Sequence, residues 1–104
     1  MKNVQAVLSV KFKSNHQPEK LMQICHEDLD AFRNVPGLVE KYYIAEESSG
    51  AISGIYLFET KSARGSFWNS ELAAGIAERY AMIAETLRVE EYEMAIVLNE
   101  GVHV

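Results

Sequence analysis

The feature that most constrains this chain is a pair of β-prone runs in which apolar side chains do not alternate with polar ones. The runs are Ile55-Tyr56-Leu57-Phe58 and Met94-Ala95-Ile96-Val97-Leu98. Successive side chains of a strand point to opposite faces of the sheet, so both runs place large apolar groups on both faces. A sheet with one face in water would alternate instead. The sequence therefore predicts a sheet that is apolar on both faces.

The first third of the chain predicts a strand followed by a helix. Apolar residues alternate with polar ones over 4–12, which indicates a strand with a two-residue period. Apolar residues then recur at helical spacing over about 18–34. Pro18 suits the first position of that helix, and Pro36-Gly37 ends it.

The remaining two-thirds predict a hairpin, a helical region and a last strand. Thr60 or Ser62 is suited to cap the helical region. The predicted elements are strands at 38–46 and 52–59 joined by a turn at 47–50, helical stretches at about 62–72 and 73–83, and a strand at about 86–98. The order is β-α-β-β-α-β, so we expect an α+β, ferredoxin-like domain with a four-stranded antiparallel sheet and both helical regions on one side.

A homodimer follows from this arrangement. Two helical regions cover only one face of the sheet, and leaving four or five large apolar side chains in water would forgo about 1.5–3 kcal/mol each. A second copy is the simplest cover, because a two-fold axis makes one patch complementary to itself. The alternative is a strand that carries tolerated apolar residues on its surface.

Length and composition narrow the classes of function. With 104 residues, the chain has room for one domain, 1–104. The net charge is −5 and no run of Lys or Arg forms a basic stripe, which disfavours nucleic acid as a partner. No apolar stretch approaches the roughly 20 residues that span a bilayer, and no secretory signal is evident. A single cysteine, Cys25, fits a reducing compartment, so we expect a cytoplasmic protein.

The hairpin region carries a resemblance to a known family. The residues concerned are Val35-Pro36-Gly37-Leu38, Lys41, Glu46-Glu47, Gly50 and Ser53-Gly54-Ile55-Tyr56-Leu57-Phe58. In these residues, in length and in element order, the chain resembles the YdhR-type mono-oxygenases. That family lies within the wider group that includes the antibiotic-biosynthesis monooxygenases.

The resemblance implies a dimeric α+β barrel with an apolar cavity between the sheet and the helices of each protomer. It also implies oxidation of a small aromatic, phenol- or quinol-like compound without metal, flavin or other cofactor. Relatives often carry a histidine late in the second helical region, where this chain has Glu71-Leu72. The implied mechanism depends on whether that histidine is needed.

Such chemistry requires a dry pocket, a base or hydrogen-bond partner for the phenol, and aromatic walls. His26, one helical turn before Asp30, is a candidate base, and Arg33 is a candidate partner for an anionic oxygen. Each candidate also has a plain structural explanation as core, interface, solvated surface or helix end. Candidate catalytic residues are His26, Tyr43 and Trp68; candidate substrate-binding residues are Tyr56, Phe67, Arg33 and Glu71, with Tyr42 as a further aromatic.

Other chemistries are disfavoured. Cys25 and the adjacent His26 face different directions on a helix, so no converging metal ligands are expected. Cys25 falls on the apolar stripe and is expected to be an inert thiol. Besides the mono-oxygenase, two alternatives remain: a non-catalytic small-molecule-binding or assembly module, and an isomerase or dehydratase with His26 or Glu71 as a buried base.

Overall fold

The computed structural model describes residues 3–95. Its strands form one sheet in the order β2-β3-β1-β4, and all neighbouring strands are antiparallel. The predicted ferredoxin-like β-α-β-β-α-β fold is confirmed. The elements are β1 (Ala6–Phe12), α1 (Pro18–Glu27), α2 (Leu29–Arg33), β2 (Leu38–Ala45), β3 (Ile52–Phe58), α3 (Lys61–Trp68), α4 (Glu71–Ala74), α5 (Ile76–Arg79), a 3-10 turn at Ala84–Thr86, and β4 (Arg88–Glu93).

The inner face of the sheet packs against the helices and forms the core. The two-residue period predicted for β1 is confirmed, because its buried positions alternate with half-buried ones. On β3, Tyr56 and Phe58 point inward and are almost completely buried. Cross-strand partners share a face, so the buried residues of β1 and β3 form one apolar layer. That layer consists of Ala6, Leu8, Val10, Phe12, Ile52, Tyr56 and Phe58.

The outer face carries the remaining side chains of the same strands. Ile55 and Leu57 point outward from β3 and are half-buried, so the run Ile55-Tyr56-Leu57-Phe58 does place large apolar groups on both faces. Tyr42 and Ile44 of β2 lie on this face and are about half exposed. In the run from Met94 to Leu98, the residues beyond Ala95 lie outside the described residues.

The helix predicted over 18–34 is divided into α1 and α2 by a turn at Asp28. The Asp28 carboxylate accepts two hydrogen bonds from Arg79 Nε, at 2.9 and 3.0 Å. Arg79 Nη2 also donates to Glu27. These contacts join the turn between α1 and α2 to the end of α5. Helical periodicity in the sequence cannot predict such a long-range contact.

The second helical region is divided further than predicted. Thr60, one of the two predicted caps, accepts a hydrogen bond from Ala63 N at 3.0 Å and starts α3. Ser70 accepts a hydrogen bond from Ala73 N and starts α4, so the stretch predicted over 62–72 is interrupted after Trp68. Among residues 3–95, no helix is both long enough and apolar enough to cross a membrane.

The turn before β2 depends on Gly37. Its φ is +78°, and a Cβ added there would lie 2.5 Å from the Ala63 Cβ. The left-handed region is costly for residues with a Cβ, and the closeness of α3 leaves no room for one. Gly37 therefore allows the 34–37 turn to lie directly against α3.

Gly37→Ala is expected to lower the free energy of unfolding by about 2–4 kcal/mol, from backbone strain together with overpacking. Gly65→Ala is the matched control, because Gly65 lies inside α3 and an added Cβ there meets nothing within 4 Å. This control is expected to gain about 0.5–1 kcal/mol from helix propensity. Urea unfolding of both variants measures the difference, and equal effects would contradict the account of this turn.

Candidate functional site

An aromatic cluster fills the space between the sheet and the helices. The Tyr56 ring of β3 lies with its centroid 4.9 Å from that of Phe67 of α3 and 5.9 Å from that of Phe32 of α2. Phe58 lies beside Tyr56 and Phe67, at 6.3 and 5.7 Å. Rings at these separations attract one another beyond the area they bury. The cluster joins the inner face of the sheet to both helical regions.

Gly54 makes room for the Tyr56 side chain. A Cβ added at Gly54 would lie 2.9 Å from Tyr56 Cε1 and 3.1 Å from its hydroxyl oxygen. The Tyr56 ring therefore lies along its own strand, over the glycine. A buried tyrosine can occupy this position only because the neighbouring inner-face residue has no side chain.

The Lys41 amine lies within this aromatic cluster. Lys41 is opposite Tyr56 in the β2–β3 pairing, so its side chain points to the inner face. Its Nζ lies 3.4 Å from the ring centroid of Phe32, 3.7 Å from that of Tyr43 and 4.7 Å from that of Tyr56. Within residues 3–95, no carboxylate forms an ion pair with this amine.

The protonation of Lys41 is set by opposing effects. Burial penalises the charged form and lowers the pKa of Lys41 to about 7, against the smaller opposing effects of Cys25 and Asp28. The faces of the surrounding rings attract an ammonium group and also favour the charged form. An amine that titrates near neutral pH can accept and return a proton under ordinary conditions.

Tyr43, whose ring lies against this amine, has its hydroxyl paired with that of a second tyrosine. The hydroxyl oxygens of Tyr43 and Tyr80 are 3.0 Å apart and hydrogen-bonded. Burial raises the pKa of both phenols, and the neighbouring Tyr43 hydroxyl and Asp28 carboxylate add to the effect at Tyr80. Both hydroxyls are therefore neutral hydrogen-bonding groups rather than sources of charge.

Little open space remains between the sheet and the helices. The cavity there measures about 10 Å³, the size of about one water molecule. The open cavity that the resemblance implied is thus nearly filled in the part of the chain that the structure describes. The lining residues are Val10, Phe12, Tyr43, Ile52, Gly54, Tyr56, Ile76 and Tyr80.

Two surface depressions reach the aromatic cluster from outside. One, of about 410 Å³, is lined by Phe32, Arg33 and Lys41 together with Leu29, Leu38, Val39 and Glu40. The other, of about 140 Å³, is lined by Phe32 and Tyr80 together with Asp28, Glu71, Leu72, Gly75, Ile76 and Arg79. Phe32 separates the two. The first depression, which we call the Lys41 depression, has the size of a small-molecule site.

A larger groove of about 570 Å³ runs along α3 beside the 34–37 turn. Among the described residues, its lining side chains are small, hydroxyl-bearing or apolar apart from the Asn34 amide, and Phe67 is the one aromatic residue. None of the lining residues that the structure describes carries an acid or a base. This groove can hold a ligand but offers no acid or base, so the Lys41 depression is the better candidate for chemistry.

The residues predicted from sequence are distributed around this site rather than gathered in it. Tyr43, Tyr56 and Phe67 lie in or beside the aromatic cluster. Arg33 lines the Lys41 depression, but its guanidinium also donates to Asp30. Glu71 lines the smaller depression from the first turn of α4.

The remaining predicted residues lie further out. His26 is exposed in the last turn of α1, and its predicted partner Asp30 hydrogen-bonds Arg33 instead. Trp68 ends α3 and packs, half-buried, against the core. Tyr42 lies on the outer face. The roles assigned to His26 and Trp68 stay predictions.

Cys25 is buried on the apolar side of α1, as the sequence predicts, and burial raises the pKa of its thiol. A protonated, packed thiol is a poor nucleophile and a poor metal ligand. Across the described residues, no group of three or more His, Cys, Asp or Glu side chains could hold a metal ion.

Sequence reasoning missed two members of the site, Lys41 as a chemical group and Tyr80. Adjacent tyrosines at 42 and 43 conceal which residues of β2 face inward, so the strand pattern leaves the direction of Lys41 open. Once Tyr43 faces the core, Lys41 must share that face, two residues away. The pairing of Tyr80 with Tyr43 depends on tertiary contacts that no local pattern reports.

Comparison with solved structures identifies the class of fold. A protein of unknown function from Nitrosomonas europaea is 17% identical, with 94% of this chain and 97% of that chain covered and a TM-score of 0.73. A monooxygenase from the gene ActVA-Orf6 of Streptomyces coelicolor, in complex with nanaomycin D, is 16% identical, with 91% of each chain covered and a TM-score of 0.69. SnoaB, a cofactor-independent oxygenase from Streptomyces nogalater, is 11% identical, with 95% and 99% covered and a TM-score of 0.65.

The chain therefore has the α+β fold seen in these oxygenase structures. At such low identities the likeness concerns the fold alone. No family model matches the chain, and no curated protein matches its sequence.

The lowered pKa of Lys41 predicts how stability depends on pH. In the unfolded chain the amine keeps its proton to about pH 10, whereas in the folded chain it loses the proton above about pH 7. The unfolded state then binds more protons, so stability is expected to rise by about 1.4 kcal/mol per pH unit between about pH 7 and about pH 9. Above that range the raised pKa values of Cys25 and Tyr43 act in the opposite direction.

Urea unfolding at several pH values across this window measures the slope. Lys41→Met is expected to remove the slope, and Lys20→Met, at an exposed position on α1, is expected to keep it. A wild-type slope no steeper than that of Lys41→Met would show that the amine does not titrate in this range.

Proposed function

We propose that this protein is a cofactor-independent mono-oxygenase of the YdhR type, acting on a small phenol- or quinol-like compound as a homodimer. The observation that carries the proposal is that Lys41 has its amine among aromatic rings and also lines a depression of about 410 Å³. Deprotonation of a bound phenol requires a base within reach of its hydroxyl, and a cation beside the phenolate offsets the penalty that burial imposes on the anion.

The fold supports the same proposal. The structure of the Streptomyces coelicolor monooxygenase holds nanaomycin D, and the Streptomyces nogalater protein is described as a cofactor-independent oxygenase. The motif residues from Val35 to Phe58 add the resemblance to the YdhR-type family.

The reaction balances without a cofactor if the substrate supplies all the electrons. A phenol and one molecule of oxygen give a quinone and one molecule of water. One oxygen atom enters the ring, and the other leaves as water with two hydrogens from the substrate. The protein has to bind and ionise the phenol and keep bulk water away from the reactive ring.

Residues predicted from sequence take roles within this proposal. The Arg33 guanidinium is a hydrogen-bond partner for an oxygen of a ligand in the Lys41 depression. Tyr43, Tyr56 and Phe67 lie behind this depression and support Phe32 and the Lys41 amine. Glu71 lies at the second depression, on the far side of Phe32. His26 and Trp68 remain candidates whose effect on turnover is to be measured.

A non-catalytic small-molecule-binding or assembly module is the second candidate. The nearly filled interior favours it, because a cavity of about 10 Å³ leaves no room for a substrate until side chains move. Such a module would bind aromatic compounds in the Lys41 depression without consuming oxygen.

Oxygen uptake separates the two candidates. Purified protein with a panel of phenols and quinols is expected to consume oxygen and form a quinone, with the rate unchanged by a chelator. Binding of the same compounds, followed as a rise in melting temperature, without oxygen uptake would support the binding module. No uptake and no melting shift across the panel would overturn the proposal.

The outer face of the sheet is proposed as the dimer interface. It combines an apolar centre, which includes Ile55 and Leu57, with the charged residues Lys11 and Arg88 near one end of β1 and β4 and Glu90 further along β4. Covering such a face with a second copy removes apolar surface from water and lets opposite charges pair across the two-fold axis.

Ile44→Glu tests this interface. Ile44 is 52% exposed on the outer face of one protomer, so the substitution is tolerated by the fold but introduces a charge into the proposed contact. Met22→Glu is the matched control, because Met22 is 41% exposed on α1, on the helical side. Light scattering is expected to give twice the 11.7 kDa chain mass for wild type and Met22→Glu, and a lower mass for Ile44→Glu. A wild-type mass of one chain at high concentration would refute the dimer.

A further inference from the structure

The position of the Lys41 amine is unusual for a lysine. Most lysines keep the ammonium group in water, with only the aliphatic stem packed against protein. Here a register irregularity between Leu38 and Glu40, at the start of β2, is followed by regular pairing that directs Lys41 toward the helices. The amine ends over the rings of Phe32 and Tyr43, and the residue also lines the Lys41 depression.

The described groups around this amine do not hold it in its charged form. Cys25 of α1 and Asp28 before α2 lie close enough to affect it electrostatically, and Tyr43 and Tyr56 face it from the sheet. The Asp28 carboxylate is already held by Arg79. Within the described chain, the amine therefore has aromatic neighbours but no ion-pair partner that would fix its charge.

Other titratable groups near the site are placed less well or hold their protons. His26 is exposed on α1, and Glu71 reaches only the smaller depression. Cys25 and the tyrosines hold their protons more tightly because they are buried. Glu40 also lines the Lys41 depression, but it is paired with the outward-facing Leu57 and accepts a hydrogen bond from Tyr42 on the outer face. Lys41 is left as the lining residue whose titratable group faces the aromatic cluster.

We infer that Lys41 is the catalytic base of this site, accepting the phenolic proton of an aromatic ligand in the Lys41 depression and then holding the phenolate as an ammonium ion. The inference rests on the proposed function. The O–H bond of the phenol breaks, its electron pair stays on oxygen, and the proton forms a bond to the lone pair of Nζ. Charge is conserved, since a neutral amine and a neutral phenol become an ammonium and a phenolate.

The ion pair formed in this way suits its surroundings. The ammonium is stabilised by the ring faces of Phe32 and Tyr43, and the phenolate lies between it and the Arg33 guanidinium at the edge of the same depression. Proton transfer thus turns a desolvated amine into half of an ion pair, and an ionised ring gives up electrons to oxygen more readily than a neutral one.

A coloured phenol tests this step without oxygen chemistry. The probe is 4-nitrophenol, held just below its own pKa and close to the pKa of Lys41 of about 7, so that both the neutral phenol and the neutral amine are present, and titrated with protein under nitrogen. Wild-type protein is expected to produce the absorbance band of the 4-nitrophenolate anion as the probe binds. Lys41→Met is expected to lower the amount of bound anion about tenfold, which corresponds to a rise of about one unit in the pKa of the bound phenol.

Two further variants keep the test specific. Lys20→Met removes a lysine from the exposed side of α1 and is expected to leave the band unchanged. Lys41→Arg keeps a positive charge but cannot accept a proton, so a phenol that ionises on binding to it must release its proton to the solution. In weakly buffered solution this variant is expected to release a proton as the band appears, whereas wild type retains the proton on Nζ. Circular dichroism shows whether each variant is folded. No band with wild type, or an equal band with folded Lys41→Met, would overturn the inference.

Turnover then separates this inference from the proposed function. If a quinol is oxidised, Lys41→Met is expected to lower kcat about 100-fold, and the acid limb of the pH–rate profile is expected to disappear with it. Oxygen uptake that is equal in wild type and Lys41→Met would refute Lys41 as the base and leave the oxygenase proposal standing. A phenolate band without oxygen uptake would support Lys41 as the proton acceptor and refute the oxygenase.

Discussion

The packing of Phe32, Tyr56 and Phe67 is the contact on which the rest of the molecule depends. These three rings come from α2, β3 and α3, so they join the sheet to both helical regions at one point. Burying three aromatic side chains supplies a large share of the core of so small a chain. The same rings form the walls around the Lys41 amine, which means that the site is part of the core rather than an addition to it.

This sharing has a cost in stability. A lysine amine taken out of water without an ion-pair partner opposes folding while it is charged. An apolar residue at this position would pack against the same rings without that penalty. Packing at this position favours an apolar residue, yet the chain has a lysine. In natural proteins, residues that oppose stability in this way are concentrated at functional sites.

Much of the fold follows from local patterns, and much of the site does not. The alternation in β1, the Pro18 helix start and the Thr60 cap act through neighbouring residues, so they can be read from the sequence. The division between α1 and α2 depends on Arg79, about fifty positions away from Asp28. Helical periodicity alone gives no sign of such a contact.

The aromatic part of the site could be predicted from local patterns, whereas the contacts of Lys41 and Tyr80 could not. Aromatic residues on strands and helices of an α+β domain predict a shared aromatic layer, and Tyr43, Tyr56 and Phe67 do lie in or beside one cluster. The direction of Lys41 required the phase of β2, which two adjacent tyrosines conceal. The pairing of Tyr43 with Tyr80 required the path of the chain after α5.

The space above Gly54 has a consequence for how this sequence can change. Because the Tyr56 side chain lies where a Cβ at position 54 would be, the two positions share one volume. A substitution that adds a side chain at position 54 must be accompanied by one that shortens or redirects the side chain at position 56. Among natural variants of this chain, positions 54 and 56 should therefore change together, and a sequence that keeps the tyrosine should also keep the glycine.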